Sequence, residues 1–142
     1  FWIEPHLDIA PDGRHVLASW AEPGADREED THLVLFDVAT QARTRVPQPA
    51  VSSTEGALFS PDGRAIAAIR STRSARQVVR PTLTLIDVAR AADAAGARTL
   101  ATDWDRWPQL ADWSADGKRL IVTADDDGLV PVFAIDAATG AR

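Results

Sequence analysis

The sequence repeats itself three times with a period of about 50 residues, and this repeat constrains the fold more than any other feature. An Asp-Gly pair begins at positions 12, 62 and 116, so successive pairs are 50 and 54 residues apart. A second marker is an apolar run that ends in aspartate at positions 37, 87 and 136, which are 50 and 49 residues apart. Two markers with one shared period predict three copies of one structural unit.

Each copy has the chemistry of a β-hairpin turn followed by a buried strand. In Pro-Asp-Gly-Arg, Pro presets φ for the first corner, the Asp side chain caps the turn and Gly takes the left-handed position. The apolar runs that follow, such as 16–20 and 66–69, are mostly continuous rather than alternating. Continuous apolarity predicts strands covered on both faces, as they are in a propeller blade that packs between two neighbours.

We therefore predict an all-β fold: a partial β-propeller of about three four-stranded antiparallel blades, the last one incomplete. Within the single segment 1–142, the blades are expected at about 5–47, 54–103 and 108–142. A short helix is expected at 88–95. Eleven strands are expected, at about 6–10, 14–20, 32–38, 42–46, 55–60, 64–70, 82–88, 97–102, 109–114, 118–124 and 131–136.

Three blades cannot close a ring, since propellers typically have about four to eight. The open blade edges predict self-association. The chain begins with Phe1 and contains no Met, so we expect it to be a piece of a longer polypeptide.

Composition excludes several classes of function. The net charge of −6, with no dense Lys/Arg block, argues against nucleic-acid binding. The absence of Cys excludes disulfides and thiolate metal sites. No apolar stretch approaches the ~20 residues of a membrane span, so no membrane partner is expected. No cofactor is expected either. The compartment is not fixed by the sequence, and a cytoplasmic location is favoured.

The turn at 59–64 and the stretches 103–108, 113–117, 123–128 and 131–133 carry a family resemblance. They resemble the propeller domains of prolyl oligopeptidase-family serine peptidases, particularly bacterial acylaminoacyl-peptidase and dipeptidyl-peptidase-like members. Ala115 departs from the Pro usual at that turn. The turn itself is shared with the periplasmic propeller of the Tol system, so it specifies the type of blade rather than the enzyme.

The resemblance implies a non-catalytic propeller fragment that controls substrate access to an α/β-hydrolase domain outside this chain. Its partners would be that hydrolase domain of the same parent chain and a peptide substrate. The family's G-x-S-x-G nucleophile motif does not occur here, so no catalytic residue is assigned. The alternative is a Tol-type or WD-like scaffold for protein–protein interaction. A lyase or sugar-binding propeller is a weaker third candidate.

The candidate contact residues lie in loops that propeller geometry places on one rim. The loop between the second and third strands is acidic at 22–30 in blade one and basic at 70–80 in blade two. The connection 103–108 leads into blade three on the same rim. Candidate contacts with substrate or the hydrolase domain are Trp104, Arg106, Trp107, Arg73 and Arg76. The favoured alternative is structural: the two tryptophans pack against the neighbouring blade, and the oppositely charged loops bridge each other.

Four further features favour structural roles. Asp125, Asp126 and Asp127 precede Gly128, but calcium loops alternate their carboxylates, so a tight hairpin loop is favoured over a cation site. The histidines at 6, 15 and 32 are isolated, and no metal site is predicted. Trp113 occupies an inner-strand position and is expected in the core. The recurring aspartates at 12, 62 and 116 and at 37, 87 and 136 are expected to shape turns.

Overall fold

A computed structural model describes residues 7–23, 29–74 and 77–142, and these form three antiparallel sheets. The first sheet contains β1 (Leu7–Ile9), β2 (His15–Pro23), β3 (Glu29–Asp37) and β4 (Arg43–Arg45). The second contains β5 (Ser52–Phe59), β6 (Ala65–Ser74), β7 (Gln77–Asp87) and β8 (Ala97–Thr99). The third contains β9 (Gln109–Trp113), β10 (Arg119–Thr123) and β11 (Val132–Asp136).

Strands that follow each other along the chain are neighbours in every sheet, so each sheet is an antiparallel meander. We call the sheets blades one, two and three. The predicted fold class, a partial β-propeller whose last blade is incomplete, is confirmed. The middle strands are longer than expected, because β2 continues to Pro23 and β3 already begins at Glu29.

The predicted short helix at 88–95 is present as two 3₁₀ helices, Val88–Arg90 and Ala94–Gly96. The Asp87 carboxylate accepts the Ala89 N–H at 2.9 Å, and the Asp93 carboxylate accepts the Ala95 N–H at 2.9 Å. Each aspartate therefore begins a new turn, which keeps each helical run to three residues instead of one α-helix.

The Asp-Gly turns join the first two strands of each blade, as predicted. In blade two, Gly63 has φ +69° and its N–H donates to the Ser60 carbonyl at 2.8 Å. The Asp62 carboxylate accepts the Arg64 N–H at 3.0 Å and the Ser60 hydroxyl at 2.6 Å. These two bonds lower the pKa of Asp62 below its ordinary value of 3.8, the hydroxyl being the larger cause. The ionised carboxylate therefore holds the turn more strongly than the protonated carboxyl group does.

The second set of aspartates closes the turn at the end of the third strand. Asp37 accepts both the N–H and the hydroxyl of Thr40, at 2.7 and 2.8 Å. Asp136 makes the same pair of bonds with Thr139, also at 2.7 and 2.8 Å. In both cases these bonds lower the pKa of the carboxyl group. The recurrence of aspartate at these positions thus has a local structural cause.

The core consists of two apolar layers, one between each pair of neighbouring blades. The layer between blades one and two is built mainly on Leu17, Leu33 and Ile66. The layer between blades two and three includes Leu120 and Trp113. Each fully buried Leu or Ile contributes about 1.5–3 kcal/mol to stability. Trp113 is in the core as predicted, and its indole N–H donates to the Leu58 carbonyl of blade two at 3.3 Å.

The outer faces of blades one and three are apolar but are not covered by the described residues. Leu7 and Ile9 on β1 are 62% and 63% exposed, and Trp20 on the same blade is half exposed. Val132 on β11 is 66% exposed. Together they leave an apolar surface at each end of the stack of blades.

We expect the isolated chain to self-associate through these end faces, with a mass above that of the monomer in light scattering. Leu7→Lys combined with Val132→Lys should lower the associated fraction, because both place a charge in the contact. Val38→Lys is the matched control, since Val38 is 54% exposed but lies in the turn after β3. A stable monomer at all concentrations would contradict this prediction.

We also expect Ser60→Ala to raise the pKa of Asp62 toward 3.8, because the largest stabiliser of its ionised form is removed. The stability supplied by a carboxylate with a lowered pKa is present above the unfolded value and is lost as pH falls through the folded value. Thermal unfolding of the variant should therefore depend less on pH below about 4. Carboxyl NMR titration measures the shift, and Asp116 is an internal control because Ser114 still donates to it at 2.7 Å. An unchanged Asp62 titration would refute the assignment.

Candidate functional site

The candidate residues lie at the end of the blades opposite the Asp-Gly turns. This end, which we call the hairpin rim, is formed by the β2–β3 and β6–β7 hairpin ends and the connections 46–51 and 100–108. In an antiparallel meander, alternate connections share one end, so these four segments lie together. Side chains of neighbouring blades can therefore meet there.

Trp104 packs into the junction between blades two and three. Its ring meets the Phe133 ring edge-to-face, with centroids 5.0 Å apart and an interplanar angle of 72°. The Arg142 guanidinium lies 5.9 Å from the Trp104 ring centroid and also pairs with Asp103 at 3.3 Å. Trp104 therefore contributes to inter-blade packing, and only part of it faces solvent.

Arg106 and Trp107 follow Trp104 in the same connection, and Trp107 is the more exposed of the two. Arg106 donates to Asp126 at 2.8 Å and contacts Asp105 at 3.2 Å. The bond to Asp126, together with the charges of both aspartates, raises the pKa of Arg106. Trp107 is 54% exposed, so of the candidate residues it presents a large free apolar surface at the hairpin rim.

A small cavity of ≈ 130 Å³ lies beside Trp104 and Arg106. Arg80 of β7 also lines it, and donates to the Trp104 carbonyl at 2.8 Å. Small-molecule sites typically measure about 300–1,000 Å³, so this cavity has room for a side chain or a few water molecules. Its two guanidinium groups could recognise a carboxylate or a carbonyl oxygen.

Arg73 lies at the other junction, between blades one and two. It pairs with Asp30 of β3, and both side chains are largely buried. It also donates to the Glu29 carbonyl and to the Ser53 hydroxyl, each at 3.4 Å. The predicted bridge between the acidic and basic hairpins is therefore present at this pair. Arg76, the remaining candidate, lies outside the described residues.

Arg70 also connects blade two to the segment that precedes it. Its guanidinium donates to the Pro47 carbonyl and to the Thr54 hydroxyl, each at 3.2 Å. Burial lowers the pKa of Arg70. Within the described part of the basic hairpin, the arginines at 70, 73 and 80 each bond to a neighbouring blade or connection. The structure thus brings Trp104 and Arg106 together and separates them from Arg73.

The loop at 125–128 is a tight hairpin turn, as favoured from the sequence. Asp126 and Leu129 exchange two backbone hydrogen bonds of 2.9 Å. The two residues between them, Asp127 and Gly128, have φ values of +48° and +79°, the pattern of a type I′ turn. The Asp126 carboxylate forms the ion pair with Arg106 described above. In the described ranges, no three His, Cys, Asp or Glu residues are grouped closely enough to hold a metal ion.

The described histidines contact charged groups rather than a nucleophile. His15 lies 3.9 Å from Asp37, and His32 lies 3.5 Å from Glu22. His32 also contacts Arg45, with a nitrogen–nitrogen separation of 2.7 Å.

In the part of the chain that the structure covers, no helix is both long enough and apolar enough to cross a bilayer.

Sequence reasoning did not single out Arg80 or Asp126 as members of the site. Arg80 was visible only as one of several arginines in a basic loop, and its bond to the Trp104 carbonyl depends on how the two blades pack. Asp126 was visible as one of three consecutive aspartates. The signal that could have found it is charge complementarity, because Arg106 is the nearest cation on the preceding connection.

No family model matches the chain. The chain is 32% identical over 145 residues to the dipeptidyl-peptidase 5 of Trichophyton equinum and to that of Trichophyton tonsurans. It is 26% identical over 143 residues to the dipeptidyl-peptidase 5 of Arthroderma otae. The matches cover 90–92% of the chain but only 19% of each relative. The chain therefore spans about a fifth of the length of these relatives.

Among solved structures, the chain resembles a putative TolB from Agrobacterium tumefaciens, with a TM-score of 0.64 and 18% identity. The likeness covers 99% of this chain and 48% of that one. It supports the propeller architecture. Together, fold and sequence similarity define the chain as a β-propeller segment related to peptidases. The sequence relatives named above are fungal dipeptidyl-peptidases 5.

We expect Arg73 and Asp30 to stabilise the junction of blades one and two by about 1 kcal/mol, because the pair is largely withdrawn from solvent. A double-mutant cycle with Arg73→Ala and Asp30→Ala, followed by urea unfolding, measures this coupling free energy. Arg64→Ala is the control for losing an arginine, since Arg64 is exposed in a turn. A coupling free energy near zero would show that the pair does not bridge the blades.

Proposed function

We propose that this chain is the propeller segment of a serine peptidase of the prolyl oligopeptidase family, of the acylaminoacyl-peptidase or dipeptidyl-peptidase-like type. The observation that carries the proposal is the similarity to dipeptidyl-peptidase 5 over 92% of the chain. The hydrolase chemistry would lie in a domain outside these residues. That domain and a peptide substrate are the proposed partners.

The proposed role is to control access to the hydrolase domain. Blades that are tied together by apolar layers and by rim arginines form a stiff wall, because sliding one blade past the next would break both. A stiff ring of blades around a narrow passage admits short or unstructured peptides and excludes folded proteins. Trp107, whose side chain is 54% exposed at the hairpin rim, and the neighbouring Arg106 are the side chains that we propose contact a peptide or the hydrolase domain.

We expect the polypeptide encoded by the full reading frame to contain a G-x-S-x-G motif followed by Asp and His. The purified full-length protein should hydrolyse dipeptidyl or acylaminoacyl p-nitroanilides and leave folded proteins intact. Replacing the motif serine by alanine should abolish hydrolysis. Trp107→Ala should raise KM more than it lowers kcat, with Val38→Ala as the control for losing an exposed apolar side chain at the opposite end of the blades.

A reading frame that contains only further Asp-Gly repeats would overturn the peptidase proposal. A propeller scaffold for protein–protein interaction would then be the function to test, and the Asp-Gly turn shared with Tol-type propellers is consistent with it. A frame that encodes the motif but yields a protein inactive on every short peptide substrate would also count against the proposal.

A further inference from the structure

One carboxylate ties the inner strands of blades one and two together. Asp8 on β1 accepts the N–H of its own neighbour Ile9 at 3.0 Å through Oδ1. Its other oxygen, Oδ2, accepts the N–H of Phe59 on β5 at 2.7 Å. The residue before Phe59 is Leu58, whose side chain cannot accept the Phe59 N–H as Asp8 accepts that of Ile9. A single aspartate thus satisfies the equivalent amide in two successive blades.

Asp112 occupies the same position in blade three. Asp8 pairs with Leu17 across its sheet, and Asp112 pairs with Ile121, the corresponding residue of β10. Asp112 Oδ1 accepts the N–H of its own neighbour Trp113 at 2.7 Å, just as Asp8 does with Ile9. Its side chain is exposed, and Oδ2 has no hydrogen-bond partner among the described residues. The hydrogen bond from Asp112 Oδ1 within blade three is therefore formed, whereas Oδ2, which corresponds to the oxygen of Asp8 that binds the next blade, is free to accept another.

The surface around Asp112 corresponds to a face that is buried in blade one. Ile121, Ala134 and Val132 hold the positions of Leu17, Leu35 and Leu33 in the pairing pattern of their sheets. Those three leucines are buried against blade two. The open face of blade three therefore has both features, apolar strands and an inner-strand carboxylate, of a face that receives another blade.

We propose that this face docks a fourth blade of the same repeat, which donates the backbone N–H equivalent to that of Phe59 to Asp112 Oδ2. The incoming blade resembles blade two, with an apolar residue rather than an acid at the position of Leu58. The inference rests on the blade geometry and not on the peptidase assignment.

A second copy of this chain, which would cover the face in the isolated chain through apolar contacts alone, fits it less well than a blade with a free amide. The blade it would present there is blade one, whose equivalent amide, that of Ile9, is already bound by Asp8. The carboxylates of Asp112 and Asp8 would then converge on one donor, and two like charges at that distance repel each other. Four residues before each Asp-Gly pair, blades one and three have an aspartate and blade two has a leucine. This alternation favours a fourth blade that resembles blade two.

The test uses Asp112→Asn in the full-length protein encoded by the reading frame. Asparagine keeps one oxygen for the Trp113 N–H but turns an NH₂ group toward the incoming amide, so only the bond to the fourth blade is lost. Asp8→Asn is the reference, because its second bond is seen in the structure. Glu55→Gln is the neutral control, since Glu55 is an exposed acid on inner strand β5.

We expect Asp112→Asn to lower the melting temperature of the full-length protein as much as Asp8→Asn does, and Glu55→Gln to leave it unchanged. In the isolated 142-residue chain, only Asp8→Asn should have an effect. A full-length protein destabilised by Asp8→Asn but not by Asp112→Asn overturns the proposal, and so does a protein indifferent to both. Self-association of the isolated chain that is abolished by Asp112→Asn would identify a second copy as the occupant and also overturn it.

The reading frame gives an independent check. The next Asp-Gly repeat after residue 142 should have an apolar residue four positions before its Asp, as Leu58 precedes Asp62. An acid at that position, or no further repeat, would contradict the proposal. Further repeats without a G-x-S-x-G motif would remove the peptidase function and leave this inference standing.

Discussion

The structure depends on the burial of each sheet against its neighbours through side chains of both faces. Blade two shows the requirement fully, because Ile66 and Ile86 pack toward blade one, while Leu83 and Ala67 pack toward blade three. A strand with two buried faces has no polar side to present, which is why the apolar runs are continuous. Among the residues that the structure describes, the same requirement leaves blades one and three with one uncovered apolar face each.

Polar interactions add the specificity that apolar layers lack. Apolar faces of similar shape can pack in more than one alignment, but the Arg73–Asp30 pair and the bond from Arg80 to the Trp104 carbonyl form in only one. The arginines of the β6–β7 hairpin therefore set how blade two sits between its neighbours. The side chains left for recognition at this rim are the more exposed ones, such as Trp107.

The sequence was sufficient for the fold because the repeat and the turn chemistry report the same unit independently. Asp-Gly pairs located the hairpins, and Trp113 could be placed in the core by its position in the repeat. The alanine content of 88–95 predicts one helix, but Asp93 inside the segment caps a second turn at Ala94–Gly96 and so divides it into two 3₁₀ helices. Such capping depends on backbone angles that composition does not reveal.

The site was less predictable, since its contacts join residues that are far apart in the chain. The rim was found by topology, and Trp104 was correctly given packing against the neighbouring blade as its favoured role. Which cation meets which anion could not be deduced, because every arginine in the basic hairpin had several acids within reach. Arg73 pairs with Asp30 only once blades one and two are docked.

The shared carboxylate of Asp8 also bears on how such a chain can change length during evolution. One acid serves the amides of two successive blades, so adjacent blades are not interchangeable, although their strands superimpose in pattern. Duplicating or deleting a single blade would bring two acids together or leave an amide without an acceptor. Gain or loss of blades in pairs preserves the alternation. The unit that can be gained or lost without disturbing these hydrogen bonds is therefore a pair of blades, twice the single-blade repeat that the Asp-Gly turns mark.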